Sequence, residues 1–188
     1  MVVYYFRQTP FLEADDGSPA TPLRPHPDLV EVAAKLGQLA DFIVITSNFL
    51  HLFRAAVEQA AGCGVVSMID VTLAEVGRRN WQHVGVLGFG DPIVYTQRLT
   101  AIGLRSETID GAQRTRLDKA ILNVMEGRED TSSVRAAEEG IATLRAKQVD
   151  GIILGCTEIP LLLPDSTASD LVNPIEQLAA GAVHEALD

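Results

Sequence analysis

Cysteine is nearly absent: Cys63 and Cys156 are the only two in 188 residues. Two cannot make a disulfide framework, and neither has a second Cys or His at a metal-ligand spacing, so structural zinc is not expected. Cations are also few. Fifteen Lys and Arg against 25 Asp and Glu give a net charge of −10, which repels polyanions at long range and argues against nucleic acid as a partner. No apolar run approaches the ~20 residues that span a bilayer, and the opening "MVVYYFRQTP" lacks a basic start and a small-residue cleavage site. A cytoplasmic chain with no membrane partner is the expectation. The three lysines, Lys35, Lys119 and Lys147, stand at no motif, so no Schiff-base site for a pyridoxal cofactor is read, and no other cofactor is implied. "GVLGFGDP" at Gly85 to Pro92 lacks the third glycine of a dinucleotide fingerprint; it reads as a strand-to-helix turn whose amides could hold an anion.

What is present is a core. The chain is 47% apolar and 21% charged, within the globular range. "VVYYF" at Val2 to Phe6 predicts a buried strand. A loop with five prolines follows to Pro27, and Asp28 is placed as N-cap of a helix whose apolar residues recur through Leu39. Further strands are expected at Phe42 to Ile45, Val65 to Met68, His83 to Leu87 and Gly151 to Leu154. Helices are expected at about 49 to 60, 70 to 79, 92 to 101, 112 to 126, 132 to 147 and 174 to 187, on helical periodicity. Apolar strands alternating with helices give an α/β fold with parallel sheets flanked by helices.

An internal repeat organises the chain. "DFIVITSNFLH" from Asp41 and "DGIILGCTEIPLL" from Asp150 run in step, with Ile43 on Ile152, Ile45 on Leu154 and Ser47 on Cys156. Downstream, "IDVTLAEV" from Ile69 resembles "VNPIEQLA" from Val172. The repeat predicts two pseudo-symmetric lobes, residues 1–72 plus 174–188 and residues 73–173, with an active-site cleft between them. Ser47 and Cys156, at strand ends, would confront one another there, and a helix start would pull the Cys156 thiol towards thiolate. Each residue also has a plainer role. Ser47 could be a helix cap alone, Cys63 reads as a small buried hydrophobe, Glu158 could accept a proton or simply oppose a helix dipole, and His51 could be structural.

"DGIILGCTEIPLLL" resembles the second signature of the aspartate/glutamate/hydantoin racemase superfamily. "DFIVITSNFLH" is similar to its first, where the usual order is proline, cysteine, asparagine, threonine, alanine, histidine, and "SMIDVT" matches the segment after that. The likeness spans essentially the whole chain, with aspartate racemase as the nearest branch. It implies a cofactor-independent isomerase acting on a small carboxylate or amino acid, in which two thiols exchange a proton with the α-carbon from opposite faces. By position, Cys156 would be one acid/base and Ser47 would stand where the other belongs, with Thr46, Asn48, His51, Thr157 and Glu158 around the substrate.

The pattern departs at several points. An alcohol is a far weaker acid than a thiol, so Ser47 cannot serve as a neutral-pH base unaided. Met125, in "NVMEG", stands where aspartate racemases carry lysine, and "QTPFLEADD" stands where an arginine is expected. The family's opening strand and glycine-rich turn precede the equivalent of "VVYYF", so this chain begins after them; an unpaired sheet edge then predicts a homodimer or larger assembly. The alternatives are an inactive paralogue that binds a small acid or serves as an assembly partner, a one-cysteine decarboxylase or isomerase, and an enzyme whose Ser47 was introduced by substitution.

Overall fold

A computed structural model describes residues 1–16, 18–128, 130–163 and 167–187. They fall into two compact units, Met1–Ile45 with Phe49–Ser67, and Thr46–Asn48 with Met68–Asp188. The first unit holds α1 (Pro27–Gly37), β1 (Phe42–Val44), a 3-10 turn (Phe49–Phe53), α2 (Arg54–Ala61) and β2 (Gly64–Val66). β1 and β2 pair in parallel, Ile43 opposite Val65. Leu29, Ala33, Ile43, Phe53, Val57 and Val65 form its core.

The second unit holds α3 (Met68–Arg78), β3 (His83–Leu87), α4 (Ile93–Ala101), β4 (Arg105–Glu107), α5 (Gly111–Met125), α6 (Thr131–Ala146), β5 (Gly151–Leu154), α7 (Ile159–Leu162), β6 (Leu171–Val172) and α8 (Pro174–Leu187). Its sheet is parallel throughout, in the order β4-β3-β5-β6. All four residues of β5 are buried, as expected of a strand covered on both faces. One apolar cluster runs from Leu87 and Ile152 to α5 and α6. A second gathers Trp81, Val84, Tyr95 and Ile153. Asp110 and Asp130 cap α5 and α6, accepting from the amides of Gln113 at 2.8 Å and Ser133 at 2.9 Å, which satisfies two donors a helix start leaves open.

The α/β architecture and the strands at 83–87 and 151–154 agree with the sequence reading. Three expectations do not hold. Val2 to Phe6 is not a strand, and Val2, Val3, Tyr4 and Tyr5 are exposed; β propensity expresses packing on a pleated neighbour, and this segment lies in no ladder. His26, not Asp28, caps α1, its Nδ1 accepting from the Asp28 amide at 3.2 Å while Pro27 takes the first helical position. Finally, α8 packs on α3 within the second unit, whereas the expected lobes placed 174–188 with the first. No described helix is long and apolar enough to cross a membrane.

Candidate functional site

The second sheet defines a place before any side chain is considered. From β3 the chain passes through α4 to β4 on one side, while β5 lies on the other. Strand order reverses between β3 and β5, and the loops beyond their carboxyl ends border the crevice where open α/β sheets bind ligands. Those loops are Gly88–Asp91 and Gly155–Glu158. The Gly155 amide donates to the Leu87 carbonyl at 2.6 Å, carrying the β3–β5 ladder one residue past the strands.

Cys156 stands just beyond that rung, partly buried. Its thiol donates to Oε2 of Glu158 at 3.0 Å, and the Thr157 hydroxyl donates to the same oxygen at 2.9 Å. Burial first, then the Glu158 hydrogen bond and charge, push the thiol up to about 12. The backbone amides of Glu158 and Phe89 act in the opposite sense by donating to the sulfur. The expected drift towards thiolate is therefore reversed: α7 has four residues, too short for a strong dipole, and an adjacent carboxylate in a desolvated place favours the neutral thiol. The Phe89 amide belongs to the "GVLGFGDP" turn. Gly90, in the same loop, has φ +57°, which glycine adopts without strain, and its amide donates to Asp118 of α5 at 2.8 Å.

The turn at Thr46–Asn48 also belongs to the second unit. Asn48 is buried, and its Oδ1 accepts from the Tyr95 hydroxyl at 2.6 Å. Tyr95 is fully buried, which holds its hydroxyl well above its usual pKa, and Thr72 hydrogen-bonds the same hydroxyl. On its other side the ring borders Gly155, where a Cβ would come within 3.3 Å of it. One phenol thus touches both the Ser47 turn and the Cys156 turn. Sequence reading missed Tyr95, since its partner is 47 positions away and no local pattern marks it. Ser47 lies beside Asn48, and His51 lies in the 3-10 turn of the first unit. Cys63 packs beside the first unit's core. Among the described residues, no cluster of three His, Cys, Asp or Glu could hold a metal ion.

The family model for Asp/Glu/Hydantoin racemases matches residues 4–184. The chain belongs to that family. A candidate Asp/Glu racemase from Yersinia pestis is 29% identical, with 85% of this chain aligned to 73% of that one at a TM-score of 0.76. An aspartate racemase homologue from Pyrococcus horikoshii, 21% identical, aligns over 85% and 73% of the two chains with a TM-score of 0.70. The aspartate racemase of Picrophilus torridus, 22% identical, aligns over 78% and 62% with a TM-score of 0.64. The last two likenesses bear on the fold alone. At the coarse level the chain is a racemase-family protein with the α/β fold of its racemase neighbours.

Proposed function

We propose that the chain is a cofactor-independent enzyme of the racemase family that moves a proton on one face of the α-carbon of a small carboxylate or amino-acid substrate, with Cys156 as the acid/base. The observation that carries this reading is the Cys156 thiol donating to Glu158 beneath two amides. As an acid, the S–H bond breaks and its proton forms the new C–H bond on the planar enolate; the thiolate left behind is held by the Phe89 and Glu158 amides. In reverse, Glu158 takes the thiol proton and the thiolate removes the α-proton, leaving the electron pair in the enolate. A resting thiol suits the first direction better, because a proton donor needs to be protonated at the working pH. Ser47 serves as a hydrogen-bond donor to the developing enolate oxygen. Thr46 and Thr157 contact substrate, and Asn48 fixes the turn that presents Ser47.

The test is α-proton exchange of L- and D-aspartate and glutamate in D₂O, followed by NMR, with Cys156→Ala and Ser47→Ala beside the parent. Exchange from one enantiomer without inversion, abolished in Cys156→Ala, is the expected result. Inversion lost in Ser47→Ala would make the serine a second base. Exchange that survives Cys156→Ala would sink the assignment. The protonated thiol also favours a second reading, a binding protein without turnover, which predicts saturable binding of one of these acids with no exchange.

A further inference from the structure

Far from the Cys156 loops in sequence, a cavity of about 260 Å³ opens between α5 and α6. Arg116 and Lys119 line it from α5, and Ser132, Arg135 and Glu139 line it from α6. In a chain of net charge −10 this is a local excess of positive charge: three cations against one carboxylate on the walls. At least nine of the fifteen Lys and Arg are paired to carboxylates. The side chains of Lys119 and Arg135, by contrast, have no ion pair or hydrogen bond among the described residues. Arg116 meets Glu139 at 3.3 Å, longer than the ~2.7–2.9 Å of a strong charge-assisted contact. Its guanidinium is weakly committed.

The start of α6 is not what makes this place attractive to an anion. Asp130 already occupies it, accepting from the Ser133 amide at 2.9 Å and the Ser132 hydroxyl at 2.7 Å. The side chains carry the attraction. Two cations one helical turn apart on α5 and a third on α6 border the groove, and the volume accommodates two linked phosphoryl groups. Planar, singly charged carboxylates would leave one wall unmatched.

We infer that the α5–α6 groove binds a small anion of the diphosphate class. The side chains are exposed, so screening keeps affinity modest and makes it fall with added salt. The test is an amide NMR titration of the full chain with sodium pyrophosphate at matched ionic strength, with sulfate and citrate as comparison anions. Saturable shifts confined to residues 116–123 and 132–139 are expected. A Lys119→Ala/Arg135→Ala chain, checked as folded from the same spectra, should bind about tenfold or more weakly, since two of the three cations are removed. Shifts no larger than those from chloride, or undiminished in the variant, would overturn the site. Citrate binding as tightly as pyrophosphate would overturn the assignment to diphosphates. The readout requires no catalytic activity.

Discussion

β1 and β5 carry matching apolar sequences, yet their surroundings differ in kind. β1 pairs with β2 and leaves Val44 37% exposed, whereas β5 lies between β3 and β6 with every residue buried. Glycines in the two sheets record the same contrast. A Cβ on Gly64 of β2 would meet nothing within 4 Å, while one on Gly151 of β5 would come within 2.1 Å of the Trp81 ring. A repeated sequence can reproduce a strand and its turn without reproducing burial, because burial is supplied by other segments. The turn after β5 consequently places a thiol and a carboxylate where desolvation magnifies their coupling. The turn after β1 instead buries an amide side chain and satisfies it with a phenol.

The sharpest way to break this comparison is to add one methyl group to each sheet. Gly151→Ala should cost roughly 3 kcal/mol, the upper end of ordinary overpacking. Gly64→Ala should cost well under about 1 kcal/mol, as surface substitutions do. Thermal denaturation of the two variants side by side measures the difference, and equal costs would show the burial contrast to be wrong. Next in size is Tyr95→Phe. It removes the donor to a buried Asn48 oxygen and should destabilise by about 1–3 kcal/mol, read from urea midpoints.

A smaller effect, about tenfold in rate, is expected for Glu158→Gln. Removing the charge that helps hold Cys156 near 12 lowers its pKa and raises the thiolate fraction, each unit of pKa being a factor of ten. Iodoacetamide should label Cys156 faster in the variant at mildly alkaline pH, with Cys63 as the internal reference. The smallest effect concerns Glu75, held at about 2 against an ordinary 4.5, chiefly by its hydrogen bond from Arg78 and then by Arg79. A depressed carboxyl stabilises the fold above its unfolded value, and that contribution disappears as pH falls through 4.5 towards 2. Glu75→Gln should therefore flatten the pH dependence of stability across that window.

How far the sequence carried the reading depended on whether a feature is local. The strands at His83–Leu87 and Gly151–Leu154 announce themselves as apolar runs and are found where expected. β4, Arg-Ser-Glu, and β6, two residues long, have no such run and exist through their neighbours. "VVYYF" shows the converse, a strong strand sequence without a ladder. At the site, the positions of Cys156 and Glu158 were legible, but the direction of the thiol's pKa was not. That depends on burial, on a helix of only four residues and on the rotamer that turns Glu158 back to the sulfur. Tyr95 was invisible for the same reason: its contacts join Asn48, Thr72 and Gly155 across the fold.

The amide of Gly155 closes one last rung onto Leu87 at 2.6 Å. Backbone so placed, at the buried centre of a sheet, opens only when much of the sheet opens with it. Its amide proton should be among the slowest in the chain to exchange with solvent. Cys156 is thereby moored to the stiffest part of the molecule, and any motion that accompanies binding occurs around a stationary sulfur.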